Sequence, residues 1–188
     1  MKEQTKLKDC FIIHDTVFED DRGYFFESYN RQRFYKETGM DINFVQDNQS
    51  KSTKGVLRGI HFQKGEHAQT KLVRVLKGKV LDIAVDLRKN SPTFGQWESV
   101  ELTEDNHLQF LVPRGFGHGF VVLSDEAVFF YKCDNFYNKA SEGGIIYNDA
   151  DLNIDWKIAA DEIILSEKDG LLPTFKEVKG LPDFKFFS

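Results

Sequence analysis

Val56-Leu57-Arg58-Gly59-Ile60-His61-Phe62-Gln63 is a short apolar run of strand type that carries an arginine and a histidine. Buried basic groups are costly unless paired, so two in one strand point to a function. In a regular strand, period two sets Arg58 and His61 on opposite faces. His61 then shares its side with Leu57 and Gln63, which leaves its direction poorly defined.

Three segments downstream each place one reactive side chain on an apolar face. Lys71 alternates with Val73 and Val75, His118 with Phe120 and Val122, and Tyr131 with Phe129 and Cys133. In a barrel such a face is the interior, and near a strand end it lines the mouth, where ligands bind. One inward histidine or tyrosine is most often a hydrogen-bonded core residue. An inward lysine is rarer, because burying its charge is expensive. Four such residues on separate strands point together to a site.

The surrounding chain supports an all-β reading. Residues 10–18 and 24–29 read as strands around the acidic turn Glu19-Asp20-Asp21-Arg22-Gly23. The clearest helix covers residues 31–38, with Asn30 as its cap and Gly39 to end it in the left-handed conformation. Further strands are expected at 44–50, 71–76, 80–87, 97–102, 108–112, 117–123 and 127–133, separated by Gly, Pro, Asn or Asp. In residues 80–87, Ile83, Val85 and Leu87 share one face. Many short strands at close spacing predict a sandwich or barrel. With no linker and no repeat, residues 1–188 read as one domain. Its core barrel covers about 40–148, and the N-terminal strands and C-terminal segment pack on it. Ser166 caps a short helix through Asp169. The phenylalanines at 184, 186 and 187 suggest that the tail docks.

Composition narrows the function. A net charge of -5 excludes a broad nucleic-acid face but leaves room for a local basic pocket. Cys10 and Cys133 are too few for a disulfide framework and read as buried thiols. No segment has the length of a membrane span and no secretory leader is visible, so a cytoplasmic protein is expected. There is no Gly-x-Ser-x-Gly, Gly-x-Gly-x-x-Gly or P-loop, and the five histidines (His14, His61, His67, His107, His118) form no His-x-His or His-Glu-x-x-His. Neither a metal nor a cofactor is expected.

Acid–base chemistry remains. A histidine suits a general base, and a carboxylate behind it would fix its tautomer. Asp169 fills that place if the C-terminal segment folds back; otherwise it is an ordinary residue in the first turn of its helix. A lysine ammonium can stabilise an enolate oxygen, and a tyrosine can return a proton. A base on one face of a carbon, an acid on the other and a cation at the neighbouring carbonyl make an epimerase.

The chain resembles the dTDP-4-dehydrorhamnose 3,5-epimerases in a series of motifs in the same order. They are residues 21–29, 44–48 and 56–63, Lys71-Leu72-Val73-Arg74-Val75, Ser91-Pro92-Thr93-Phe94-Gly95, residues 113–120, Tyr131-Lys132-Cys133 and Leu165-Ser166-Glu167-Lys168-Asp169. The resemblance implies a cupin-like jelly-roll barrel (a double-stranded β-helix) with a few short helices, acting as a homodimer without metal or cofactor. It implies His61 as base with Asp169 as dyad partner, Tyr131 as proton donor, Lys71 at the C4 keto oxygen and His118 against the sugar. By the same resemblance Arg22, Arg58 and Lys168 contact diphosphate or sugar, Gln46 and Asn48 contact thymidine, and Tyr137 stacks on thymine. Glu27 and Glu142 match further binding positions. The segment bearing Arg22 would complete a site across the dimer interface. The implied substrate is dTDP-4-dehydro-6-deoxy-D-glucose, and the product feeds dTDP-L-rhamnose synthesis for a polysaccharide.

The chain departs from the family at Gln49, where histidine is common, and at Ile60, where leucine is common. The loop after Gln63 lacks prolines, and Gly170-Leu171-Leu172-Pro173 replaces an alanine-rich run. Rival readings are an epimerase of another nucleotide-linked 4-keto sugar or of one carbon only, a non-catalytic sugar-binding jelly roll, and a metal-dependent cupin.

Overall fold

In the computed structural model, residues 1–182 are described, so the three tail phenylalanines lie outside the described residues. The elements run β1 (Lys2–Gln4), β2 (Phe11–His14), β3 (Phe18–Asp20), β4 (Gly23–Phe25), helix α1 (Arg31–Thr38), β5 (Gln46–Thr53), β6 (Leu57–Gln63), β7 (Lys71–Lys77) and β8 (Lys79–Asp86). They continue with β9 (Trp97–Thr103), β10 (Leu108–Val112), β11 (Phe116–Val122), β12 (Glu126–Cys133), β13 (Glu142–Gly144) and helix α2 (Glu167–Gly170). Both helices have the expected caps. Asn30 accepts from the Arg33 backbone N–H, Gly39 closes α1 at φ 77°, and Ser166 accepts from the Asp169 N–H.

Two antiparallel sheets face each other. One has the order β1-β2-β10-β7-β12-β5 and the other β13-β6-β11-β8-β9. This is the jelly-roll barrel that the strand spacing and the resemblance led us to expect. Strand β2 pairs with β10 inside the first sheet. The N-terminal strands therefore extend that sheet as well as packing on it. The hairpin of β3 and β4 stands apart as a separate two-stranded sheet.

The apolar side chains fall into three layers. Between the sheets lie Val73, Val75, Val80, Ala84, Phe110, Phe120 and Phe129, with others. Outside the five-stranded sheet, Leu57, Ile60, Phe62, Leu81, Ile83 and Val85 are covered by Ile145, Leu152 and Trp156 from the C-terminal segment. Outside the six-stranded sheet, Phe11, Ile13, Leu72 and Leu111 are covered by Phe34 of α1 and by Met40 and Ile42. Strand β8 is consequently apolar on both faces. Its Val80 and Ala84 point into the barrel, whereas Ile83 and Val85, followed by Leu87 just past the strand, point under the C-terminal cover.

Strand β6 contains the one irregularity that decides the site. It pairs with β11 at His61 opposite His118 and at Arg58 opposite Phe120, with a register shift between them. Over that interval β11 advances two residues and β6 three, which is a β-bulge. The extra residue turns Arg58 and His61 to the same side, while Leu57, Ile60 and Phe62 face the outer layer. Period two had set the two basic residues on opposite sides, and the bulge resolves that conflict. Gly59 makes it possible. Its φ is +131°, and a Cβ there would lie 2.5 Å from the Gly119 Cα and 3.0 Å from the His118 carbonyl oxygen. No side chain fits, and few non-glycine residues adopt that backbone.

Gly59→Ala is therefore expected to destabilise the fold by more than ~1 kcal/mol. In a chain of this size that lowers Tm by at least about 2–4 °C. Calorimetry of the variant tests this, and an unchanged Tm would show that β6 and β11 separate without cost.

Candidate active site

Within the barrel mouth, a cavity of about 420 Å³ is lined by Arg58 and His61 of β6, Lys71 of β7, His118 and Phe120 of β11, and Phe129 and Tyr131 of β12. Asn48, Gln49 and Ser50 of β5 and Ser166, Lys168 and Asp169 complete it. All four proposed catalytic residues and four of the nine proposed binding residues thus meet in one place. His61 and His118 come from the five-stranded sheet, Lys71 and Tyr131 from the six-stranded sheet, so the two pairs face each other across the mouth.

The C-terminal segment does fold back. Ile164 donates to the Gly55 carbonyl at 2.8 Å and accepts from the Leu57 N–H at 3.0 Å, which lays the chain alongside the start of β6. Helix α2 follows at once and delivers Asp169 to His61, with Nε2 and Oδ1 2.6 Å apart. Both readings of Asp169 hold, because it sits in the first turn of α2 and also contacts the histidine. Asp169 is buried and His61 partly open, at 5% and 29% exposure. Burial raises the Asp169 pKa, but hydrogen bonds from His61, the Gly59 N–H and Ser166 outweigh it and hold the carboxyl below its ordinary value. An ionised Asp169 only accepts, so His61 Nε2 carries the hydrogen, and it is Nδ1 that holds the lone pair in the neutral ring.

Opposite, Tyr131 is pushed up to about 12, chiefly by burial and further by Cys133, against the pull of Arg58. It stays a phenol throughout the neutral range. The Lys71 ammonium lies 5.6 Å from the centre of the Tyr131 ring. Burial draws its pKa down, while Cys133, Asp82 and Glu142 oppose the shift. Below them the Phe120 and Phe129 rings stack at 4.2 Å, one from each sheet.

Asp82 escaped the reading of the sequence. It is fully buried and accepts from His118 Nε2 through both oxygens, at 2.9 and 3.0 Å. Burial raises its pKa and lowers that of His118, each against the attraction of the other. Asp82 shares parity with Val80 and Ala84, but both faces of β8 are buried, so that parity alone did not mark it as facing the barrel. Ser52 was missed too; its Oγ accepts from both Nε and Nη2 of Arg58.

Of the other expected residues, Gln46, Tyr137 and Glu142 form a chain leading to the cavity. The Tyr137 N–H donates to Gln46 Oε1 at 3.2 Å, the Tyr137 hydroxyl to Glu142 at 3.2 Å, and Glu142 pairs with Lys168 at 2.5 Å. Gln46 also donates to Asn48 at 3.1 Å. Arg22 and Glu27 do not line the cavity. Arg22 is 89% exposed at the β3–β4 turn and pairs with Asp20, and Glu27 pairs with Arg33 of α1. Cys10 and Cys133 are buried free thiols, as expected. Among the described residues, no group of three or more His, Cys, Asp or Glu side chains could hold a metal ion. Among them, also, no helix is long and apolar enough to cross a membrane.

A jelly-roll barrel whose mouth gathers a histidine–aspartate pair, a lysine and a protonated tyrosine has the architecture of an acid–base isomerase. The family described as dTDP-4-dehydrorhamnose 3,5-epimerase matches residues 4–177. The chain is 52% identical over 170 residues to the dTDP-4-dehydrorhamnose 3,5-epimerase of Salmonella typhimurium, covering 90% of this chain and 92% of that protein. It is similar to the crystal structure of the Elizabethkingia anophelis NUHP1 enzyme of the same name, with a TM-score of 0.92, 62% identity, and 96% and 98% of the two chains covered. It is also similar to a dTDP-6-deoxy-D-glucose-3,5-epimerase from Legionella pneumophila Philadelphia 1 in complex with dTDP-4-keto-L-rhamnose, with a TM-score of 0.95, 43% identity and 99% of each chain covered. The chain belongs to the dTDP-4-dehydrorhamnose 3,5-epimerase family and is an isomerase.

The lowered Asp169 pKa has a consequence for stability. The folded value lies below the unfolded one of about 3.9, so the dyad stabilises the fold above that pH. The stabilisation is lost as pH falls through the folded value. In urea titrations over a pH series, the stability advantage of the wild type over Asp169→Asn is expected to shrink in acid. An advantage that stays constant or grows there would contradict an ionised Asp169.

Proposed function

We propose that the chain converts dTDP-4-dehydro-6-deoxy-D-glucose to dTDP-4-dehydro-L-rhamnose by epimerising C5 and C3. The observation that carries this reading is the placement of the His61–Asp169 pair and Tyr131 on facing sheets. A flat enolate between them is reached by a base on one side and an acid on the other.

Both carbons adjoin the C4 carbonyl, so their hydrogens are acidic. His61 Nδ1 takes the proton from C5, and the electron pair moves through C4 to the carbonyl oxygen. The Lys71 ammonium stabilises the enolate that results. The Tyr131 phenol then delivers a proton to the opposite face of C5. The imidazolium and phenolate left behind exchange protons with water to restore the starting state, and the cycle repeats at C3. Asp169 stabilises the imidazolium and fixes the ring. Arg58 and Lys168 bind the diphosphate as cationic donors, and His118, backed by Asp82, faces the sugar. Gln46, Asn48, Tyr137 and Glu142 form the nucleotide end. No step needs a metal or cofactor.

The working unit is a homodimer in this reading. The β3–β4 hairpin leaves Phe18, Tyr24 and Phe25 exposed, at 63, 58 and 71%. Phe18 and Phe25 are paired across the hairpin and share one face, with Tyr24 on the other; exposed apolar surface of that kind marks an interaction site. In this reading the hairpin, which holds Arg22 outside its own cavity, contributes Arg22 and Glu27 to that of a partner subunit. The substrate is a soluble nucleotide sugar, which suits a cytoplasmic enzyme with neither membrane nor nucleic acid as partner.

In D2O the enzyme is expected to place deuterium at both C3 and C5, read by NMR. Label at one carbon alone would favour a monoepimerase, and none would favour a binding module. Tyr131→Phe keeps the base and is expected to exchange hydrogen while forming less epimer by the ~10²–10⁴-fold typical of an acid–base group. Mixed dimers of Arg22→Ala and His61→Ala protomers test the hairpin. One site in each mixed dimer would have all its groups, so activity should exceed that of either variant. An unmixed level would place Arg22 outside the partner's site.

A further inference from the structure

The loop after Gln63 contains a histidine that the mechanism leaves unused. His67 ends the 3-10 turn Gly65–His67 and packs against a second 3-10 turn, Lys139–Ser141. Its Nε2 lies 3.1 Å from Asn138 Nδ2 and its Nδ1 3.1 Å from Ser141 Oγ.

The orientation of Asn138 is set independently. Its Oδ1 accepts from the Ala140 backbone N–H at 2.9 Å, capping the second turn. The amino group must therefore face His67, and an amino group only donates. His67 Nε2 is then an acceptor without hydrogen, and Nδ1–H donates to Ser141. Asn138 thus demands one neutral tautomer, and the Ser141 hydroxyl, which can accept, suits it.

The turn so held lies within residues 135–142, the loop that carries Tyr137 and Glu142. Other bonds knit the same two segments. Gln63 Oε1 accepts from the Asn138 N–H at 2.9 Å, Asn135 Nδ2 donates to the Glu66 carbonyl at 2.8 Å, and the Lys64 N–H donates to the Ser141 carbonyl at 2.7 Å. From this loop the chain of contacts runs through Glu142 to Lys168 at the cavity.

We infer that His67 is a positioning residue for the nucleotide end of the site, clipping the 135–142 loop in its neutral form so that Tyr137 and Glu142 stand in register with Lys168. This rests on the reading of Tyr137 as a nucleotide contact. Protonating His67 sets an Nε2–H against the Asn138 amino group, donor against donor, and loosens the clip in acid. The ring's own bonding partners are uncharged. The titratable groups around it are Lys64 and Glu66 on its segment, Lys139 and Glu142 on the facing one, and the Arg114–Asp134 pair at the base of the loop.

The test measures kcat, KM and the affinity for dTDP over a pH series from neutral into acid. Wild type is expected to lose dTDP affinity toward the acid end. His67→Phe is expected to weaken dTDP binding and raise KM about 3- to 10-fold at neutral pH, the worth of one or two hydrogen bonds. Its kcat should stay within about twofold of wild type, with a flatter pH trend of affinity, since no acceptor interaction remains to be lost. Asn138→Asp keeps an oxygen for Ala140 and offers a second oxygen to a protonated His67. Its affinity should hold or improve toward acid, reversing the wild-type trend. Adding His67→Phe to Tyr137→Ala should cost less than it does in the wild type, since only the Glu142–Lys168 contact is left to disturb. Unchanged affinity in His67→Phe, with Tyr137→Ala weakened, overturns the inference and spares the reading of Tyr137. Asn138→Asp following the wild-type trend also overturns it. If Tyr137→Ala binds dTDP as wild type does, that reading fails and the inference falls with it.

Discussion

The site depends on two backbones passing closer than a side chain allows. Gly59 of β6 lies against Gly119 of β11, where a Cβ on either residue would meet the other strand at 2.5–2.9 Å. The approach admits the extra residue that rotates Arg58 and His61 into the same cavity. It also aims the Gly59 N–H at Asp169, so the bulge that presents the histidine helps hold its carboxylate ionised. Because Ile164 is hydrogen-bonded to Gly55 and Leu57, the C-terminal segment reaches this point from the start of the same strand. A local backbone constraint thus organises residues 108 positions apart.

The barrel then divides the chemistry between its sheets. The five-stranded sheet supplies the histidine with a free lone pair; the six-stranded sheet supplies a phenol that burial keeps protonated and a cation beside it. Environment, rather than residue type alone, separates the proposed base from the proposed acid. The arrangement of Asp82 behind His118 repeats that of Asp169 behind His61, on the neighbouring strand and deeper in the barrel.

Much of this was legible in the chain because the strands are short, alternating and divided by turn residues. Period two identified Lys71, His118 and Tyr131 as inward, and cap chemistry identified both helices. It failed at His61 because a bulge breaks the alternation, and Gly59 was its only local mark. It passed over Asp82 because β8 is buried on both sides, so apolar neighbours there do not tell inside from outside. Gln46, Tyr137 and Glu142 carry no periodic signal, and only resemblance singled them out. Arg22 and Glu27 stand beyond their own cavity, a placement that strand parity does not address.

The stacked rings of Phe120 and Phe129 have a further meaning for the site. They come from opposite sheets and line the same cavity as the facing histidine and tyrosine, so a stacked aromatic pair bridges the two sheets beside the site. Aromatic packing is hard to compress, so this pair resists any change in the distance between the sheets that carry the proposed base and the proposed acid. The reach between base and acid is in this sense a dimension of the core.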